Sequence, residues 1–394
     1  MSRRRAVALL ALVAVLLSGC GRSPGREADV AVRPLALAWQ PLTLPAPSGP
    51  PGRLLVRDAV ACVDRWYVVG AVADAAGDTR PAAWSSPDGV TWTAMRLLPM
   101  SHYGRQHVLY SVACRDGRVA LVGAKSGGAH GNPRTATWRQ SPDGALTEVA
   151  APFELFGGPR AVNVARIAAG PSGWLIAGSR RDGAAVWSSA DADRFALREG
   201  VAELAGDDRG RTSAHDAVAG PSVGWFVAGS LLPTGGTSLL PVAWTSSDGV
   251  TWRRWLLPAG SGDGGQAQRV TRVGAAVVVA GSRGDGFGAW RWDGAGWREA
   301  GAFGAAAGPG VAWVDGLTVA GGQVVVVAGD GGGHGMWISP DAGDSWRPVG
   351  LPAVVPDGGD SAVAVAGAGD RVVLVADDGG SSRVWSARIG DVGR

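Results

Sequence analysis

Lysine is all but missing from this chain: of 37 basic residues in 394, Lys125 alone is a lysine. The formal net charge of +3 equals the contribution of Arg3, Arg4 and Arg5 at the N-terminus. The rest of the sequence is charge-balanced, which argues against a basic surface for nucleic acid. Cysteine is equally scarce. Cys20, Cys62 and Cys114 form no CxxC or Cys/His pair at metal-ligand spacing, so no metal and no cofactor is expected. Tyrosine occurs only as Tyr67, Tyr103 and Tyr110. Beyond the extreme N-terminus no segment sustains a 3.6-residue apolar period, which predicts very little helix. Two enzyme signatures go with it. A Gly-x-Ser-x-Gly elbow is absent as a strand-to-helix element, and Gly331-Gly332-Gly333 has no following helix with which to hold a phosphate.

What the chain has instead is tryptophan and glycine, 18 and 63 residues. Glycine shows no period of three, so it marks tight turns and not a collagen helix. Seven tryptophans recur at nearly constant spacing: Trp84, Trp138, Trp187, Trp244, Trp290, Trp337 and Trp385, separated by 54, 49, 57, 46, 47 and 48 residues. A period of this length means an array of one supersecondary unit, because each copy buries its apolar face only against its neighbours. Upstream of each tryptophan runs an apolar stretch ending in Gly or Ala, such as Trp66 to Gly70, Trp225 to Gly229 and Val372 to Ala376. A shorter apolar strand precedes each run, as at Ala59 to Val63. Each unit therefore reads as four short strands.

The turn after each repeated tryptophan carries the clearest motif. Trp84-Ser85-Ser86-Pro87-Asp88-Gly89-Val90-Thr91-Trp92 matches Trp244-Thr245-Ser246-Ser247-Asp248-Gly249-Val250-Thr251-Trp252, and Trp337-Ile338-Ser339-Pro340-Asp341-Ala342-Gly343-Asp344-Ser345-Trp346 is one residue longer. Degenerate copies centre on Asp143, Asp191 and Asp293 with Trp297. Asp accepts bonds from amides two or three residues on, Gly takes positive φ, and Trp covers the loop from the next strand. The longer copy resembles in full the Asp-box (BNR repeat) of sialidases and related β-propellers. Four-stranded units repeated radially give an all-β, seven-bladed propeller. Its last unit stops after Trp385-Ser386-Ala387, while Leu37-Ala38-Trp39-Gln40-Pro41-Leu42-Thr43-Leu44-Pro45 parallels the strand at Val90 to Pro99. The N-terminal strand is therefore expected to complete the last blade, with Trp39 in the place of Trp92.

Residues 1–20 read as an export leader, with a basic n-region, an apolar stretch from Ala6 to Leu17, and Leu17-Ser18-Gly19-Cys20, which resembles the bacterial lipobox. The resemblance implies lipidation at Cys20 and a membrane anchor on the extracytoplasmic side. Residues 21–34 read as a flexible tether and 35–394 as the propeller. Cys62 and Cys114 occupy matching points of consecutive units, which leaves open a disulfide or two buried thiols.

Sialidases share more than the box: an Arg-Ile-Pro motif, three substrate arginines, a Tyr–Glu pair and an acid/base Asp. No Arg-Ile-Pro occurs here, and Tyr67 lies in an apolar strand. The chain is closer in type to the non-enzymatic seven-bladed assembly factors of photosystem II, membrane-associated propellers that bind a protein. That class implies a monomeric, non-catalytic binding or scaffold module for a protein or glycan, with a cell-surface glycosidase or polysaccharide lyase as the alternative. The candidate ligand face gathers where loops enter the innermost strands: Arg57, Asp58, Tyr110, Arg166, His215, Asp216, Arg269, Arg272 and Asp315. His102, Tyr103, Arg105 and His107 add a polar-aromatic loop. The competing expectation is that these side chains line a solvated channel and pair with one another. His215 and Asp216, adjacent in a strand, are expected to face opposite ways.

Overall fold

Each tryptophan-bearing repeat folds into an antiparallel sheet, and the computed structural model contains seven of them. It describes residues 33–127, 132–220, 224–258, 264–306 and 310–390, so the expected leader and the expected lipidation site Cys20 lie outside the described residues. In the first blade Arg53–Cys62 pairs with Arg65–Ala73, then Thr79–Ser86, then Thr93–Ala94. The innermost strands of the next six are Val108–Arg115, Ala161–Gly170, Gly210–Ala219, Gly265–Val273, Trp313–Ala320 and Ala362–Ala368. Each touches the innermost strand on either side, and the last touches the first, so the ring is closed. Helix is limited to a 3-10 turn at Gly104–Gln106 and one turn at Phe153–Phe156 among the described residues.

The second strand of each blade is sandwiched on both faces, which is why it reads as a continuous apolar run and not as alternation. Val324, Val325, Val326 and Val327 are all fully buried. The glycine ending such runs has a steric cause: a Cβ at Gly70 would lie 1.8 Å from the Leu55 carbonyl oxygen, and one at Gly281 1.7 Å from that of Gln266. These contacts fall where the innermost strands bulge. Register shifts occur between Val56 and Asp58, Leu109 and Ser111, Val164 and Ile167, Ala214 and Asp216, Ala267 and Arg269, and Val314 and Gly316. A bulge inserts an extra residue and re-aims side chains.

Trp84, Trp138, Trp187, Trp244 and Trp290 are fully buried. Their indole N–H groups reach the loop entering their own blade. Trp84, Trp187, Trp244 and Trp290 donate to the carbonyls of Pro45, Leu155, Glu203 and Pro258 at 2.8, 2.7, 2.7 and 2.6 Å. Trp138 donates instead to His107 Nδ1 at 3.2 Å.

The turns between third and fourth strands are built from aspartate. Asp88 and Asp248 each accept two amides, from Val90 and Thr91 and from Val250 and Thr251. Asp191 accepts Asp193 and Arg194, Asp293 accepts Ala295 and Gly296, and Asp341 accepts Ser345. Asp143 holds only the Ala145 amide and pairs with Arg96. Backbone amides donated to the carboxylate draw Asp88, Asp191 and Asp248 down to a pKa of about 2. Trp346 bonds its own turn at the Gly343 carbonyl, 3.0 Å away. Trp92 and Trp252 are instead buried between blades, and Trp297 packs edge-on against Phe226 and Trp292.

Closure follows the expected register. Gln40–Leu42 is the outer strand of the last blade, with Pro41 opposite Trp385 as Ala94 is opposite Trp84, so Trp39 stands where Trp92 does. The N-terminal segment does more than fill one blade. Leu35 bridges Val349 in the sixth blade, Trp39 donates to the Gly350 carbonyl at 2.8 Å, and Pro45 receives Trp84 of the first blade. Leu97–Leu98 similarly adds a fifth strand, parallel, to the second blade. Cys62 and Cys114 are joined by a disulfide across the first two innermost strands, their Cα atoms 5.5 Å apart.

Candidate functional site

The bulges decide what reaches the ring axis. Arg57, Tyr110, His215 and Asp315 are the extra residues of their strands, and Arg166 lies within a third-blade bulge. In the first, second and fourth blades the residue after the extra one caps a neighbouring blade, and in the fifth the extra residue Gln268 does so by accepting the Val314 amide at 2.8 Å. Asp58 accepts the Val112 amide at 2.9 Å and the Arg166 guanidinium at 2.6 Å, Ser111 accepts the Ile167 amide, and Asp216 accepts that of Val270 at 3.1 Å. Asp58, Arg166, Asp216 and Arg269 line an axial cavity of about 190 Å³. With Asp315 they alternate in sign along the inner strands. Burial raises the Asp216 carboxyl and lowers Arg269 to about 10, with the Arg166 charge adding to the latter. Arg166 is itself held charged: burial opposes this, but Asp58 and Asp216 outweigh it. Arg269 also donates to the carbonyls of Asp315 and Gln268, at 3.0 and 2.9 Å. Arg57 pairs with fully buried Asp377 at 2.7 Å, beside Arg53. Asp58 and Arg166 are thus paired with each other, while Asp216 and Arg269 are satisfied by backbone groups.

His215 is the extra residue of a bulge between Ala214 and Asp216, so the two-residue alternation that predicts opposite facing for His215 and Asp216 is interrupted there. His215 lies 3.2 Å from Ser230 Oγ and edge-on to Trp313, with burial lowering its pKa to about 4. Tyr110 is occupied with the Val164 carbonyl at 2.7 Å. Arg272 is exposed near the far end of its strand and bonds the Gly274 carbonyl, which places it away from the axial group. His107 is buried under Trp138, its pKa lowered to about 4 by desolvation.

A second histidine group was not legible in the sequence. His334 opens the third strand of the sixth blade, its side chain 2% exposed, with Nε2 3.5 Å from Asp315 and 4.0 Å from Asp357. Burial opposes its protonation, but the Asp315 carboxylate, the Val355 carbonyl and Asp357 raise its pKa. The only sequence signal is a lone histidine directly after three glycines.

The polar-aromatic loop at 102–107 forms one wall of a cleft of about 340 Å³ on the face where blades are entered. Tyr103 comes from this loop and Met100 from just before it, Arg134 from the start of a second-blade strand, and Phe153 from the connection to the third blade. Arg134 sits over both rings, 5.3 Å from the centre of Tyr103 and 4.5 Å from that of Phe153. Beneath them Glu148 accepts the amides of Met100 and Ser101 and the Ser101 hydroxyl. His102 packs edge-on to Tyr103, and Arg105 bonds the Ser101 carbonyl. Among the described residues no tyrosine hydroxyl pairs with a glutamate, no group of three or more acidic, His or Cys side chains is poised for a metal, and no helix is long and apolar enough to cross a membrane.

No family model and no curated protein matches the sequence. Solved structures do match it in fold. A GH74 xyloglucanase from Xanthomonas campestris aligns over 91% of this chain and 54% of its own at 17% identity, with a TM-score of 0.56. A puromycin-hydrolyzing peptidase from Mycobacterium tuberculosis aligns over 90% and 56% at 12% identity, TM-score 0.50. A sialidase from Trypanosoma rangeli aligns over 86% and 55% at 12% identity, TM-score 0.44. The chain spans about half the length of these three proteins. At these identities the first two support a class, the β-propeller, and no activity.

Proposed function

We propose that this chain is a lipid-anchored, extracytoplasmic propeller of the Asp-box type that binds a protein or glycan through one ring face without catalysis. The observation that carries it is a contrast on that face. The axial Asp58, Arg166, Asp216 and Arg269 side chains are engaged by one another or by the backbone, whereas Met100, Tyr103 and Phe153 stand exposed around an open cleft. Exposed side chains on loops held by a rigid scaffold are where binding is expected. The test is to incubate the purified full chain with a panel of fluorogenic sialosides and glycosides. No turnover is expected; turnover abolished by substitution of Asp58 or Asp216 would replace this reading by the glycosidase one. The anchor is tested separately with Cys20→Ser, which should abolish labelling by a fatty-acid probe.

A further inference from the structure

We infer that the cleft around Arg134 docks a protein segment through a carboxylate, an Asp, a Glu or a chain terminus, set beside a large apolar side chain. This rests on the reading of the ring face as a docking surface and names its partner class. Arg134 is an unusual cation for this molecule. Most arginines that enter the ring structure have a carboxylate or carbonyl partner, but among the described residues no group accepts a hydrogen bond from the Arg134 guanidinium, and its buried Nε has none. Among the described residues it is held by aromatic faces, Tyr103 on one loop and Phe153 on another. A guanidinium fixed in this way presents its remaining N–H edge as a rigid fork, the shape that matches a carboxylate. The neighbouring acid does not compete, since both Glu148 oxygens are engaged by Met100 and Ser101.

The surroundings favour a polypeptide over a sugar. Met100 is 66%, Phe153 53% and Tyr103 41% exposed, and Val149, Ala150, Ala151 and Pro152 extend the same apolar shelf. Tyr, Phe, Met and Arg are the residues enriched in protein interfaces. A sugar needs many free hydrogen-bonding groups, and of the polar side chains lining this cleft Ser101, His107 and Glu148 are already engaged. With Glu148 tied to its own loop, the unpartnered Arg134 guanidinium is the group left to select a carboxylate on the partner.

The full chain, anchored through its N-terminus, is panned against a random linear-peptide phage library, with oligogalacturonate as an acidic sugar probe. Selected peptides are expected to carry a carboxylate next to a large apolar residue. Their affinity should fall about tenfold or more in Arg134→Gln. It should also fall in Phe153→Ala, an exposed site whose substitution leaves the fold intact, and stay unchanged in Arg272→Gln. Added salt should weaken wild-type binding and leave Arg134→Gln nearly flat. Peptides without acidic bias, or binding indifferent to both cleft variants, would overturn the inference. Oligogalacturonate binding that depends on Arg134, with no peptide selected, would also overturn it while sparing the ring-face reading. Binders photocrosslinked only to the opposite face would sink both.

Discussion

Side chain by side chain, the repeated tryptophans act as anchors and not only as bulk. Trp244 fills the core between the third and fourth blades and ties the Glu203 carbonyl, which Arg254 also holds at 2.7 Å. Trp244→Phe should cost about 1–2 kcal/mol from the lost bond, and Trp244→Ala about 3–5 kcal/mol, read as a shift in urea midpoint. Removing Arg166 strands the buried Asp58 carboxylate, so Arg166→Met should cost about 3–5 kcal/mol, partly restored by adding Asp58→Asn. The histidines have opposite signs. His107 and His215 are held near 4 when folded against 6.5 when unfolded, so the unfolded chain binds more protons between those values and stability falls as pH drops through them. His334 is raised, so its contribution is complete below about pH 6.5 and fades as pH climbs through its folded value. His334→Gln should therefore destabilise more at about pH 5.5 than at about pH 9. An equal cost at both would show that His334 contributes through packing alone.

Among elements, the aspartate turns and the strand order were legible because both rest on local chemistry. Asp88 and Asp248 bond amides within three residues of themselves, and Trp66 to Gly70 announces a strand covered on both sides. The bulges were not. An extra residue such as His215 leaves no trace in composition, since it arises where the innermost strand presses on a glycine of its neighbour, here the Ser213 carbonyl on Gly229. Arg134 escaped notice for a related reason: its partners Tyr103 and Phe153 lie in two different loops. The disulfide joins elements 52 residues apart, for which loop-closure entropy predicts about 4 kcal/mol. Cys62→Ser with Cys114→Ser should lose about 2–4 kcal/mol, and a reductant should cost the wild type the same while leaving the double variant unchanged.

For the molecule as a whole, the seam decides stability. Deleting residues up to 45 behind a fresh leader would remove the strand on Val384 to Ser386, the Leu35 bridge to Val349 and the acceptor for Trp84. Three blades lose a partner at once, so the truncated protein should melt far lower or aggregate at its open edge. A truncation as stable as the parent would mean the ring does not depend on this strand. The seam also sets an order in time. Gln40 pairs with Ser386, so the stretch synthesised first has no seat until Ser382–Arg388 has been made and brought round. Inner blades form from contacts local in sequence, while this step waits for nearly the whole chain and closes a very long loop. Until that strand forms, the folding chain is an unclosed arc whose two ends have yet to meet.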